Sequence, residues 1–243
     1  MKSFYQVKLG LAKSYLAYMK YHLELDIDLK KNPYQGKYIA VEGIDGSGKT
    51  TQVEKITEYF KARGKNVIRT REPRKTGIIG EIAQKVLNGE LKMSPLALQY
   101  LFATDRVLSQ EEVIIPALKR GDIVVSDRCF WSAIVYGILD RTGGKYDYNE
   151  ADFMLVVYSI LSMYHRFIVP DYTFYLKIPL TTALSRLKKK DDTKEIYEDK
   201  EKLRKVMEGY DWLGEKFARE MITIDGGTPM DKVTKEIISK IKI

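Results

Sequence analysis

Eight residues, Gly43-Ile44-Asp45-Gly46-Ser47-Gly48-Lys49-Thr50, satisfy G-x-x-x-x-G-K-[ST] directly after an apolar run. The chemistry this spacing offers is nucleoside triphosphate binding. Glycines at 43, 46 and 48 free the backbone so that amides converge on phosphate oxygens, and the start of a helix near Lys49 adds partial positive charge. Lys49 is placed to bridge the β- and γ-phosphates, and Thr50 to offer its hydroxyl to Mg²⁺.

Further groups stand where apolar runs end. Asp122-Ile123-Val124-Val125-Ser126-Asp127-Arg128 puts a carboxylate and a guanidinium just past a strand, on the edge where ligands bind in open parallel sheets. Asp127 can position Mg²⁺ through water, and Arg128 can fork onto a phosphate. A second such edge carries Thr70-Arg71-Glu72-Pro73, and Arg71 lies beside the phosphate loop if the two strands are close neighbours. Phe102 and Arg106, four apart on an expected helix, share a face and suit a nucleobase; a core ring and a solvated cation is the alternative.

The elements that must position these groups alternate. Strands are expected at Tyr38–Glu42, Val67–Thr70, Ile123–Ser126, Thr173–Ile178 and Met221–Ile224, each separated from the next by helix-length sequence. Continuous apolar runs with long connections predict a parallel sheet buried between helices, hence an α/β class. Before them, residues 1 to about 30 repeat apolar side chains at helical spacing, and Asn32, Pro33, Gln35 and Gly36 punctuate the entrance to the core. This extension reads as a helix packed on the core, with a membrane-surface or subunit contact as alternatives.

The chain of 243 residues suits one catalytic domain with an accessory element. Its net charge of +8 fits polyanionic nucleotide substrates as well as nucleic acid, but no zinc-finger or single-strand-binding motif accompanies it, so no stable nucleic-acid partner is expected. Cys129 is the only cysteine, which excludes an intramolecular disulfide or a cysteine metal cluster. The N-terminal apolar stretches are interrupted by Lys8, Lys13 and Lys20 with no cleavage site after them, and no run approaches the roughly 20 apolar residues of a membrane span. A cytoplasmic setting is expected.

Order and spacing together carry a family resemblance. Val41-Glu42-Gly43-Ile44-Asp45-Gly46-Ser47-Gly48-Lys49-Thr50-Thr51, Thr70-Arg71-Glu72-Pro73, Leu101-Phe102-Ala103-Thr104-Asp105-Arg106, and Ile115-Pro116-Ala117-Leu118 leading to Asp127-Arg128 resemble the thymidylate kinases, nucleoside monophosphate kinases of the P-loop class. The resemblance implies a three-layer sandwich with a mostly parallel five-stranded sheet between helices. It divides the chain into an extension (1–35) and a kinase domain (36–243) with a lid at about 186–200. The implied reaction is ATP plus dTMP giving ADP plus dTDP, with Mg²⁺, in a homodimer. A kinase for another nucleoside monophosphate or a deoxynucleoside is the nearest alternative, and a non-catalytic ATP-binding module with a macromolecular partner the next.

By the same resemblance Gly43, Asp45, Gly46, Ser47, Gly48, Lys49, Thr50 and Thr51 bind ATP. Asp45 also meets the acceptor sugar, Arg71 and Arg128 grip the acceptor phosphate, Phe102 stacks on thymine, Arg106 donates to its carbonyl, and Ser132 joins the acceptor site. Thr50 and Asp127 serve the metal. Lys49, Arg128, Arg186 and Lys190 are the expected catalytic cations, although Arg186-Leu187-Lys188-Lys189-Lys190 keeps only the first arginine of the family's lid rhythm. Other departures are Arg74 and Lys75 in place of two glycines, Cys129 in place of a tyrosine, Gly137 at the position of the polar pyrimidine reader, and Lys177 where an aspartate usually ends a strand.

Overall fold

A computed structural model of the chain describes residues 29–143, 151–188 and 199–242. The helix expected before residue 29, Lys190 and most of the expected lid lie outside the described residues.

Five strands form one sheet: β1 (Lys37–Glu42), β2 (Val67–Arg71), β3 (Ile123–Asp127), β4 (Tyr172–Lys177) and β5 (Met221–Asp225). Their order is β2-β3-β1-β4-β5, and every pairing is parallel. Each strand lies within one or two residues of its apolar run, because a strand covered on both faces must be apolar at consecutive positions. In β1 the alternation then sorts side chains between two cores. Tyr38 and Ala40 enter the larger cluster on one face, and Ile39 and Val41 the smaller cluster on the other.

Helices among the described residues supply the outer layers: α1 (Lys49–Lys61), α2 (Ile78–Leu87), α3 (Pro95–Ser109), α4 (Ile115–Lys119), α5 (Trp131–Thr142), α6 (Ala151–Tyr164), α7 (Leu180–Lys188), α8 (Lys200–Lys216) and α9 (Met230–Lys240). The smaller cluster is closed by α1 and α9 through Val53, Ile56, Phe60, Val233 and Ile237. Helices α2, α3, α5, α6 and α8 close the larger one. Ser94 caps α3 by accepting from the Ala97 amide, with Pro95 at the first helical position, where its missing N–H costs nothing.

Residues just before β1 are tied into this body. Lys30 pairs with Ile168 in an isolated parallel bridge, Asn32 Nδ2 donates to Gly36 O and to Asp171 at 2.8 Å each, and Leu29 and Tyr34 pack on the larger core.

Register decides which groups meet at the carboxyl edge of the sheet. Asp127 on β3 lies opposite both Val41 of β1 and Arg71 of β2. Strands β1 and β2 are not neighbours, because β3 lies between them. Arg71 nevertheless reaches the ground in front of β1, since all three strands end at one level.

Candidate active site

A cavity of about 640 Å³ opens at that edge. Its floor is the turn between β1 and α1. Gly46 and Gly48 have φ of 80° and 96°, in the left-handed region that favours glycine. At Gly46 space makes a second demand, since a Cβ would lie 2.7 Å from the Ala183 carbonyl oxygen of α7. Helix α1 begins with no side-chain cap and no acidic residue in its first turn, so its leading amides face an anion site unopposed.

Lys49 is almost fully buried, and its Nζ donates to Ile44 O at 2.9 Å and to Asp45 Oδ1 at 3.4 Å. Burial and the Arg128 charge lower its pKa, and Asp45, Asp127 and Glu42 oppose that shift. Thr50 Oγ1 donates to Asp127 Oδ2 at 2.5 Å, which sets a hydroxyl and a carboxylate together at the mouth of the loop. These hard oxygen donors suit a magnesium ion that takes its remaining ligands from phosphate and water.

Arg128 is the most constrained cation in the cavity. It is a non-glycine residue with φ of 73°, and the strain is held by its N–H donating to Val41 O at 2.9 Å. Its guanidinium donates to Asp45 Oδ1 at 2.6 Å, to the Tyr210 hydroxyl at 2.8 Å and to Ser132 Oγ at 3.3 Å, and lies 5.3 Å from the Tyr136 ring centre. Behind it the fully buried Glu42 accepts from the Cys129 amide, Ser132 Oγ and Tyr210 Oη, each at 2.8 Å. Ser132 thus supports Arg128 while it lines the cavity.

The opposite wall comes from β2 and α3. Arg71 lines it, and its buried Nε has no hydrogen-bond partner among the described residues. Arg106 is buried rather than solvated: its Nε donates to Glu72 Oε2 at 2.7 Å and a terminal nitrogen to the Tyr164 hydroxyl at 3.2 Å. Burial pushes the Glu72 carboxyl up to about 7 against the opposing pull of Arg106. The Phe102 ring, 5.9 Å from the Arg106 guanidinium carbon, forms the adjacent surface.

The site residues singled out in the sequence line the cavity, except Gly43 and Ser47, which belong to the loop but not to the lining, and Lys190, which lies outside the described residues. Arg186 closes the loop side, its guanidinium donating to Gly46 O and Ser47 O at 3.3 Å each and to Gly226 O at 3.4 Å. Arg74 is spent elsewhere, on Asp105 and Glu112 at 2.8 Å each, whereas Lys75 does line the cavity. Lys177 pairs with Asp211 at 2.9 Å. Gly137 abuts α6, where a Cβ would fall 2.3 Å from Ile160 Cδ1. Sequence reasoning missed Glu42, Tyr210, Tyr136 and Gln99. Glu42 left a signal, a carboxylate ending an otherwise apolar strand; Tyr210 left none.

The family model for thymidylate kinases matches residues 41–237. The chain belongs to the thymidylate kinase family. Among curated thymidylate kinases, that of Thermoanaerobacter sp. (strain X514) is 35% identical over 208 residues, 86% of this chain and 98% of the relative. That of Thermosipho africanus is 36% identical over 206 residues, covering 84% and 97%. A thymidylate kinase structure from Candida albicans superposes with a TM-score of 0.68 at 22% identity, over 84% of this chain and 90% of that one, and so shares the fold. Family membership makes the chain an ATP- and Mg²⁺-dependent phosphotransfer enzyme acting on a nucleoside monophosphate.

Proposed function

We propose that the enzyme transfers the γ-phosphoryl group of ATP to dTMP, giving ADP and dTDP. The observation that carries the proposal is the pairing of Asp45 with Lys49 on one side and Arg128 on the other, within the cavity lined also by Arg71, Phe102 and Arg106. A triphosphate on the loop would then face a monophosphate held by the two arginines.

Lys49 and the amides of residues 43–51 would hold the donor phosphates, with Thr50 and Asp127 holding Mg²⁺. The ion would neutralise charge on the phosphates. Arg71 and Arg128 would set the acceptor phosphate oxygen in line, Asp45 would meet the sugar, and Phe102 and Arg106 would receive the base. Arg186, which donates to the phosphate-loop carbonyls of Gly46 and Ser47, would stabilise charge on the transferring group. Such chemistry needs alignment, charge neutralisation and exclusion of water, and no covalent intermediate. Lys189 and Lys190 of the expected lid lie outside the described residues.

The test is ADP release over a panel of nucleosides and nucleoside monophosphates, with Lys49→Ala alongside. dTMP should be the preferred acceptor, and Lys49→Ala should lower kcat by about a hundredfold or more. Preference for a purine acceptor, turnover of no acceptor, or full activity of Lys49→Ala would each overturn the reading.

The homodimer and the location belong to the same proposal. Leu96, Tyr100 and Val107 on α3, and Leu155 and Tyr158 on α6, are exposed. These exposed apolar side chains on two helices support helix-to-helix pairing of two copies, which light scattering would register as twice the monomer mass. No helix among the described residues is long and apolar enough to cross a membrane, in keeping with a cytoplasmic location.

A further inference from the structure

Alternation along β4 puts Tyr175 and Lys177 on one face of the sheet, the face of the larger core, where α8 lies. The helix approaches closely: a Cβ on Gly214 would fall 3.5 Å from Tyr175 Cδ1 and 3.3 Å from Thr223 Oγ1. The Tyr175 and Tyr210 rings stack with centres 5.4 Å apart and planes inclined by 18°. Beside Tyr210, Asp211 Oδ1 accepts from the Tyr175 hydroxyl at 2.8 Å and pairs with Lys177 Nζ at 2.9 Å. Burial and the Asp211 charge push the Tyr175 hydroxyl well above its ordinary pKa, so it stays a donor at neutral pH. Two consecutive residues of α8 thus face opposite ways: the Tyr210 hydroxyl holds Arg128, and Asp211 holds the end of β4.

The second attachment bears on the first. Leu203, Val206 and Leu213 seat α8 on the core by apolar burial, which is non-directional and restrains rotation about the helix axis only weakly. A helix with its side chains has a radius of about 5–6 Å, so a rotation of about 10° moves a side-chain tip by about 1 Å. That movement would take the 2.8 Å contact between Tyr210 and Arg128 out of hydrogen-bond range. Directional bonds at Asp211 oppose it one residue away. The aspartate that usually ends this strand in the family would set two carboxylates against each other here, where Lys177 sets a pair.

We propose that Lys177 is a positioning residue for the phosphoryl transfer: by pairing with Asp211 it sets the rotation of α8, and with it the Tyr210 hydroxyl that aims Arg128. The inference rests on the assignment of Arg128 to the acceptor phosphate and deepens it. Lys177 does not line the cavity, so its influence on the acceptor passes through α8.

The experiment compares wild type with Lys177→Arg, Lys177→Asp, the charge swap Lys177→Asp/Asp211→Lys, and Lys177→Asp in a Tyr210→Phe background. Initial rates are taken for ATP and for the nucleoside monophosphate that wild type prefers. Lys177→Asp should lower kcat/KM for the monophosphate by about threefold to tenfold, as a partly exposed ion pair is lost and a like-charge pair replaces it. KM for ATP should stay within about twofold. Lys177→Arg and the charge swap should both return to within about twofold of wild type. Against Tyr210→Phe alone, Lys177→Asp should cost less than about twofold, because the hydroxyl through which it acts is gone. Unchanged kcat/KM in Lys177→Asp, a swap that melts as wild type does yet rescues nothing, or the full effect persisting without the Tyr210 hydroxyl would each overturn the inference. Parallel losses for ATP and the monophosphate would mark general destabilisation and overturn it too. A preferred monophosphate other than dTMP would overturn the dTMP assignment and leave this test intact, whereas a wild type that phosphorylates only free nucleosides would overturn both.

Discussion

Replacing Tyr210 by phenylalanine removes one oxygen from behind Arg128 and leaves the buried ring in place. That hydroxyl accepts from the Arg128 guanidinium and donates to Glu42, at 2.8 Å in both cases, and stands 2.8 Å from Ser132 Oγ. Hydrogen bonds to charged groups contribute about 1.5–3 kcal/mol each. The loss is partial, because Arg128 retains Asp45 and Ser132, and Glu42 retains the Cys129 amide and Ser132. A net cost of about 2–3 kcal/mol is expected, which for a chain of this length lowers Tm by roughly 4–12 °C. The catalytic consequence is separable. With Arg128 less firmly aimed, kcat/KM for the monophosphate should fall by about tenfold to a hundredfold, the equivalent of about 1.4–2.8 kcal/mol. KM for ATP should remain within about twofold, since the phosphate loop is untouched. Initial rates with each substrate varied in turn, and a thermal melt, make the measurement. If Tm falls as expected while acceptor kcat/KM is unchanged, the hydroxyl is a packing feature and does not aim Arg128.

Two further substitutions test other parts of the site. Gly46→Ala places a methyl group 2.7 Å from a backbone oxygen of α7 at a φ of 80°, whereas Gly64→Ala at a φ of 74° meets nothing within 4 Å. Left-handed strain of about 1–2 kcal/mol is common to both, so melts should show Gly46→Ala clearly the less stable, and ATP affinity should fall only in that variant. Equal melts would mean that α7 yields freely. Glu72 tests the buried ion pair through pH. Its folded pKa of about 7 lies above the unfolded value near 4.5, so between these pH values the folded chain holds a proton that the unfolded chain has released. Stability from this group is therefore full below about pH 4.5 and is lost as pH rises toward 7. Relative to Glu72→Gln, the unfolding free energy of the wild type should decline over that interval by more than about 1 kcal/mol, read from urea melts at each pH. A difference that is flat or rises with pH would show that Arg106 outweighs burial.

What could be read in the sequence follows from how local each constraint is. The five strands are legible because a sheet covered on both faces imposes continuous apolar runs, and the phosphate loop because its geometry is set within eight residues. Arg71 and Asp127 are legible as chemistry at strand ends, but their meeting depends on the register of β2 on β3 and on β3 lying beside β1. No residue near Arg71 encodes that order. Arg106 left two readings open because four-residue spacing fixes a face and not its neighbour; Glu72 on β2 and Tyr164 on α6 decide it. Tyr210 reaches Glu42 across 168 residues, and no local pattern marks such a pair. Arg74, which breaks the family's glycine pair, proves to be a brace between the loop after β2 and helix α3.

Asp45 shows how a position that the loop motif leaves free can couple the two halves of the site. Lys49 belongs to the phosphate loop and Arg128 to the end of β3, and without an anion between them these buried cations would oppose one another. Burial alone would raise the Asp45 carboxyl, but Arg128 and Lys49 outweigh it and hold the group well below the usual carboxylate range. It therefore stays ionised at neutral pH, 3.4 Å from one cation and 2.6 Å from the other. Two phosphates entering the cavity would bring the charge these cations are arranged to meet, one from the donor and one from the acceptor. A single short side chain then keeps both cations in place and, on the proposed reading, would lie between the donor and acceptor phosphates. Glutamate would reach further and asparagine would carry no charge, so the length and the charge of residue 45 are tied to the separation of Lys49 from Arg128, which is a property of the sheet and not of the motif.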